Sequence, residues 1–163
     1  MPGIFWIDAP GPGRLALGPC PLGGRDLETE LLAYRALDVD VVASLLERGE
    51  ARTLDLAREG DLCRRMGLEF LSFPIPDHGV PASPEAAAAF ARSIADRCRR
   101  GRRVVVHCRA GIGRSACLAA AVLRELGMGV DDILSRLAKA RGFPVPETHE
   151  QLDWVRGYRP LSG

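Results

Sequence analysis

Lysine is nearly missing from this chain: Lys139 is the only one, and the rest of the 22 Lys and Arg residues are arginine. Alanine, glycine and proline are abundant, so the bias reads as nucleotide composition and carries no functional weight. An excess of either charge is missing too. The 22 Lys and Arg residues face 21 Asp and Glu, a net charge of +1, which removes the composition argument for a nucleic-acid or membrane-surface partner. No apolar run approaches the ~20 residues that a membrane helix requires. The first residues lack a basic segment followed by a sustained apolar stretch, so no secretory leader is expected. The five cysteines, Cys20, Cys63, Cys98, Cys108 and Cys117, include no Cys-x-x-Cys pair, which argues against zinc-binding or thioredoxin-like motifs. Their odd number fits a reducing compartment. These absences lead to the expectation of a cytoplasmic monomer with no metal, cofactor, membrane or nucleic-acid partner.

What is present is ordinary globular material. The 163 residues are 47% hydrophobic and 26% charged, enough for one well-packed domain over 1–163 and too short for two comfortable ones. Short strands are predicted at Ile4–Ile7 and Arg14–Gly18, each flanked by Pro and Gly turn signals. Apolar residues recur at helical spacing from Asp26 to Leu37, and Val39–Leu46 is apolar enough for a central strand. Short helical pieces over 50–66 and a strand at Leu68–Phe73 follow. Ser83-Pro84-Glu85 opens a helix, with Ser as cap and Pro in the first turn, and Arg99–Arg103 closes it with positive charge at the negative end of its dipole. That arginine cluster is read as a solvated helix end rather than an anion site. Val104–Val106 is a buried strand, followed by helices at 114–126, 130–141 and 147–157. The pattern predicts an α/β fold, a central mostly parallel sheet flanked by helices.

The chemistry is concentrated at Val104-Val105-Val106-His107-Cys108-Arg109-Ala110-Gly111-Ile112-Gly113-Arg114-Ser115. Cys108 stands at the C-terminal edge of a strand, where ligands gather in open α/β sheets. Two glycines let the backbone curl so that successive N–H groups of Arg109, Ala110, Gly111, Ile112 and Gly113 face inward as an anion-binding nest. The helix opened by Arg114 adds its own unpaired N–H groups and positive dipole end. Such a loop binds a tetrahedral oxyanion, and the same field favours a thiolate. Arg114 offers a permanently charged fork to two oxygens of a transferring phosphoryl group.

His-Cys-x5-Arg-Ser resembles the signature of the cysteine-dependent protein tyrosine phosphatases, here in the version of the small dual-specificity branch. The resemblance runs from Arg14 to about Tyr158. It implies a dual-specificity phosphatase-like fold, a phosphocysteine intermediate and a phosphoprotein substrate. It also implies a hydroxyl at Ser115 that stabilises the departing thiolate, and a His107 that supports Cys108 through loop hydrogen bonds. Helix capping by Ser115 and a purely structural His107 remain open beside those roles.

A phosphate leaves an oxygen more easily when that oxygen is protonated as it departs. The candidate acid is Asp77, in Phe73-Pro74-Ile75-Pro76-Asp77-His78-Gly79-Val80-Pro81, which resembles the acid loop of the family and precedes Cys108 in the family order. Asp55 and Asp61 are weaker candidates because they fall within helical surface patterns. His78 either orients that loop or is simply exposed, and exposure is the plainer reading. The stretch Pro146–Gln151 is similar to a late segment of small family members in which a glutamine positions the hydrolytic water, a role that would fall to Gln151. An exposed helix residue is the plainer reading of that position. Cys117, next along the chain from Cys108, is read as a buried apolar cysteine rather than a redox partner.

Several rival readings fail on order or content. Low-molecular-weight phosphatases place a similar loop near the N-terminus with the acid downstream. A rhodanese-like sulfurtransferase would lack the Arg-Ser ending. A non-catalytic phosphoprotein-binding module would be expected to have lost Cys108, Arg114 or Asp77. Among substrates, Ala110 and Ile112 stand where lipid phosphatases of this type tend to carry lysines, which favours phosphotyrosine and phosphoserine/threonine over a phosphoinositide.

Overall fold

The computed structural model describes residues 3–161, so the ends of the expected 1–163 domain lie outside the described residues. Its elements run β1 (Phe5–Ile7), β2 (Arg14–Pro19), a 3-10 turn (Gly24–Asp26), α1 (Leu27–Ala36), β3 (Val41–Ser44), α2 (Arg48–Thr53), α3 (Glu59–Arg65), β4 (Glu69–Ser72), α4 (Pro84–Arg99), β5 (Arg103–Cys108), α5 (Arg114–Glu125), α6 (Val130–Arg141) and α7 (His149–Gly157). The five strands form one sheet in the order β1-β2-β5-β3-β4. Only the β1–β2 pair is antiparallel; β2–β5, β5–β3 and β3–β4 are parallel. The mostly parallel sheet predicted from the sequence is what forms.

Strand alternation distributes the core between the two faces. Val104 and Val106 join Leu15, Leu17, Val41 and Ala43 beneath α4–α7, while Val105 joins Ala16 and Val42 beneath α1–α3. β5 therefore reads as a continuous apolar run because both of its faces are covered. Each fully buried valine stabilises the sheet by roughly 1.5–3 kcal/mol relative to exposure.

Local signals set the helix ends. Ser83 Oγ accepts from the Ala86 N–H at 3.1 Å with Pro84 in the first turn, and α6 stops at Gly142 in the left-handed conformation (φ 87°). The third strand is shorter than the predicted Val39–Leu46, because Val39 instead closes the α1 turn by donating to the Tyr34 carbonyl. The last helix starts at His149 rather than 147, since Thr148 and Gln151 form a capping box there. That places Glu147 ahead of the helix. The arginines around 99–103 are held by neighbours: Arg97 grips Glu69 at 2.7 and 2.9 Å, Arg99 reaches the Glu125 carbonyl at 2.6 Å, and Arg103 pairs with Asp38 at 3.7 Å.

The four parallel strands point the same way, so the segments that follow them leave from one edge. After β2 comes Cys20, whose N–H donates to the Arg109 carbonyl at 3.2 Å. After β3 comes the turn into α2, after β4 the Pro74–Gly79 loop, and after β5 the Cys108–Arg114 loop. Residues distant in sequence are delivered to one place by this topology.

Candidate active site

The β5–α5 loop closes on Cys108. The Gly111 N–H donates to Cys108 Sγ at 3.3 Å, and Ser115 Oγ lies 3.4 Å from the same sulfur. Gly111 adopts φ 73° and packs so closely over β2 that a Cβ would fall 2.3 Å from the Gly18 carbonyl carbon and 2.5 Å from the Pro19 nitrogen. Only glycine meets both demands, left-handed backbone and close approach. Above the sulfur opens a pocket of about 270 Å³ lined by Asp77, His78, Cys108, Arg109, Ala110, Gly113, Arg114 and Glu147. Ile112 turns instead toward the core beneath α4–α7, leaving its backbone to the loop.

Arg114 is only 2% exposed, and a charge so buried must be matched. Its Nη1 donates to Glu50 Oε1 at 2.8 Å and to the Ile75 carbonyl at 3.0 Å; its Nη2 donates to Glu50 Oε2 at 2.8 Å and to Asp77 Oδ1 at 3.0 Å. Burial works against the arginine's charge, but the hydrogen bond to Glu50 and the facing Cys108, Glu50 and Asp77 outweigh it and raise its pKa above the usual value. Glu50 responds in kind: the hydrogen bond from Arg114 holds its carboxyl below the ordinary carboxylate range. Of the five N–H donors of the guanidinium, four are engaged in these contacts. An incoming oxyanion therefore meets Nε–H and competes with Asp77 for Nη2.

His107 is fully buried. Its Nε2 lies 2.7 Å from Glu59 Oε2 and its Nδ1 3.4 Å from the Cys108 carbonyl oxygen. The ring thus ties the backbone of the cysteine to α3. Gln151 is buried, not surface-exposed: its Nε2 donates to the Gly79 carbonyl at 3.1 Å and its Oε1 accepts from the Thr148 N–H at 3.3 Å. A Cβ on Gly113 would meet both ends of that amide at 2.8 Å, so Gln151 sits against the loop without lining the pocket. His78 is 70% exposed as expected, yet it is not idle, since Asp77 and Glu147 flank its ring. Asp61 pairs with Arg64 on the surface at 3.1 Å and Asp55 stands beside Gly24, both away from the pocket.

Two residues central to this arrangement carry no local sequence signal. Glu50 lies 64 positions before Arg114, and Glu59 lies 48 before His107. Each looks like any other acid on an amphipathic helix. An arginine and a histidine destined for burial require partners, but which of 21 acids supplies them is decided by the sheet topology. The remaining thiols are quiet. Burial raises Cys20 and Cys98 to about 11 and Cys63 to about 12, and raises Cys117 further, its Sγ 3.8 Å from the Gln151 carbonyl.

Comparison with known proteins agrees with this geometry. The dual specificity phosphatase catalytic domain family matches residues 53–158. The chain belongs to that family, within the cysteine-dependent tyrosine phosphatase superfamily, and its chemistry is that of a cysteine-based phosphatase. Cyclin-dependent kinase inhibitor 3 of Mus musculus is 26% identical over 152 residues, spanning 88% of this chain and 71% of that protein. Crystal structures of similar fold include kinase associated phosphatase with its catalytic-site cysteine replaced by serine, at a TM-score of 0.88 and 20% identity over 97% of this chain and 94% of that one. PTPMT1 in complex with PI(5)P superposes at a TM-score of 0.73 and 22% identity over 94% of each chain.

Proposed function

We propose that the protein hydrolyses phosphate monoesters of phosphoproteins through a phosphocysteine intermediate, without a metal, acting on phosphotyrosine and also on phosphoserine/threonine. One observation carries the reading. Cys108 Sγ, the Gly111 N–H, the Arg114 guanidinium and the Asp77 carboxyl meet around a single pocket, which brings nucleophile, oxyanion donors and acid together.

The reaction has two steps. The phosphate settles in the loop, takes the Nε and Nη2 donors of Arg114, and displaces Asp77 from Nη2. The Cys108 thiolate attacks phosphorus, an S–P bond forms, and the P–O bond to the leaving group breaks as Asp77 passes its proton to that oxygen. Water then attacks phosphorus, Asp77 takes a proton from it, and the S–P bond breaks to return the thiolate. The Ser115 hydroxyl supports the departing sulfur from 3.4 Å. Arg114 and the loop amides neutralise the equatorial oxygens, the work a metal ion performs in other phosphatases.

The choice of a phosphoprotein rests on Ala110, an apolar loop side chain at the pocket, and on relatives whose names tie them to kinases. The PI(5)P complex of the similar PTPMT1 fold makes a phosphoinositide the alternative substrate to test. Purified protein is assayed on phosphotyrosine and phosphothreonine peptides and on PI(5)P, beside its Cys108→Ser variant. The expected result is peptide turnover that the variant abolishes while it still binds phosphate. Hydrolysis surviving in Cys108→Ser would sink the nucleophile assignment, and turnover confined to PI(5)P would replace the substrate class.

A further inference from the structure

His78 occupies a backbone conformation that side chains rarely adopt, φ 60°, directly after Asp77 and directly before a glycine. Left-handed backbone is unfavourable for a non-glycine residue unless something compensates. Its surroundings supply a reason for the side chain. The His78 N–H donates to Asp77 Oδ1 at 3.0 Å, and the ring stands between two carboxylates. Nε2 is 3.7 Å from Asp77 Oδ2, and Nδ1 is 3.2 Å from Glu147 Oε1 across the pocket mouth. One position on, the Gly79 carbonyl accepts from Gln151. The loop that carries Asp77 is thus fastened at two successive residues, through the His78 side chain to Glu147 just ahead of α7 and through the Gly79 backbone to Gln151 within it.

We infer that His78 is a positioning residue: bridged to Glu147, it holds the acid loop over the pocket so that Asp77 reaches the leaving-group oxygen once phosphate has taken Arg114 from it. The inference rests on the reading of Asp77 as the general acid. Asp77 is placed by Arg114, whose Nη2 donates to its Oδ1. When phosphate occupies the guanidinium that placement is lost, and the clasp from His78 to Glu147 and from Gly79 to Gln151 then determines where the carboxyl goes. Glu147 is well placed to anchor the clasp, being two-thirds covered at 33% exposure and part of the pocket wall. His78 and Glu147 both line the pocket, so the dependence of kcat on the leaving group is what separates a contribution to the acid step from one to binding.

The test compares kcat and KM for phenyl phosphate, a poor leaving group, and para-nitrophenyl phosphate, a good one. The variants are His78→Gly, His78→Gln, Glu147→Ala, His78→Gly/Glu147→Ala and Asp77→Asn. A mere turn residue at φ 60° would be replaced by glycine without loss or with a gain in stability. As a positioning residue, His78→Gly lowers kcat on phenyl phosphate about tenfold or more, as a misplaced catalytic group does, with KM nearly unchanged and little effect on para-nitrophenyl phosphate. Glu147→Ala produces a similar loss, the double variant is no worse than either single one, and His78→Gln, which keeps a polar reach, recovers part of the rate. Wild-type kcat in His78→Gly on phenyl phosphate, or losses that multiply in the double variant, would overturn the bridge. If Asp77→Asn alone leaves kcat on phenyl phosphate unchanged, the acid assignment fails and the bridge falls with it. If Asp77→Asn is slow while His78→Gly is not, the acid stands and only the bridge is lost.

Discussion

Glu50 meets Arg114 in a two-point ion pair, Oε1 on Nη1 and Oε2 on Nη2, both at 2.8 Å. This pair occupies one hydrogen on each Nη of the guanidinium. The remaining Nη2 donor is the one that Asp77 holds, at 3.0 Å.

Removing Glu50 leaves a buried guanidinium short of its main counter-charge. Glu50→Ala is expected to cost about 3 kcal/mol of stability, the lower end for a broken buried pair, because Arg114 keeps Ile75 and Asp77. Phosphate affinity should fall as well, since the fork is no longer oriented. Urea denaturation and inhibition by inorganic phosphate measure the two effects; an unchanged unfolding midpoint would show the pair to be dispensable.

The same pair predicts how stability depends on pH. The folded-state pKa of Glu50 is depressed, chiefly by the hydrogen bond from Arg114. Its contribution is therefore fully present above the ordinary carboxylate range and lost as pH falls through the lowered folded value. Across that acid window the wild type should lose stability more steeply than Glu50→Gln. Parallel curves for the two proteins would remove Glu50 from the acid transition.

Asp77→Asn keeps the size of the side chain and a hydrogen-bond acceptor but has no proton to give. A fall in kcat of roughly 10²–10⁴-fold is expected on substrates with poor leaving groups, the usual worth of a general acid, and a small one on good leaving groups. Measuring both classes separates a missing acid from a disturbed pocket, which would slow them equally.

Gly111→Ala forces a Cβ to within 2.3 Å of backbone atoms at a residue with φ 73°. The loop must shift, and with it the N–H that reaches Cys108 Sγ. A loss in kcat/KM on the order of 10²-fold is expected, as for an ångström-scale displacement of a catalytic group, together with about 1–3 kcal/mol of stability. Near-normal turnover would mean that the loop yields without cost.

Alkylation separates Cys108 from the other thiols. Burial raises Cys20 and Cys98 to about 11 and Cys63 to about 12, with Cys117 higher still, so near neutral pH these thiols carry almost no thiolate. Brief treatment with iodoacetamide should give one adduct, on Cys108, and inorganic phosphate should slow it. Partly exposed Cys20 is the informative competitor: labelling there at an equal rate would contradict the prediction.

The sequence by itself determined whatever is encoded by neighbours along the chain. The valine run with Cys108 at its end, the glycines that curl the loop, the arginine that opens α5 and the Ser-Pro start of α4 are local patterns, each with a local physical cause. They were enough to predict a mostly parallel sheet with the Cys108–Arg114 loop at its edge, while Asp77 was singled out by resemblance to the family's acid loop. What the tertiary structure decided were the partnerships. Parallel strands release their following segments at one edge, so Glu50 from α2, Glu59 from α3, His78 from the acid loop and Glu147 from the approach to α7 arrive beside residues that are dozens of positions away. An acid on a helix carries no mark of the cation it will neutralise. Gln151 makes the same point: the exposed-helix reading fails because packing buries it as a brace between α7 and Gly79.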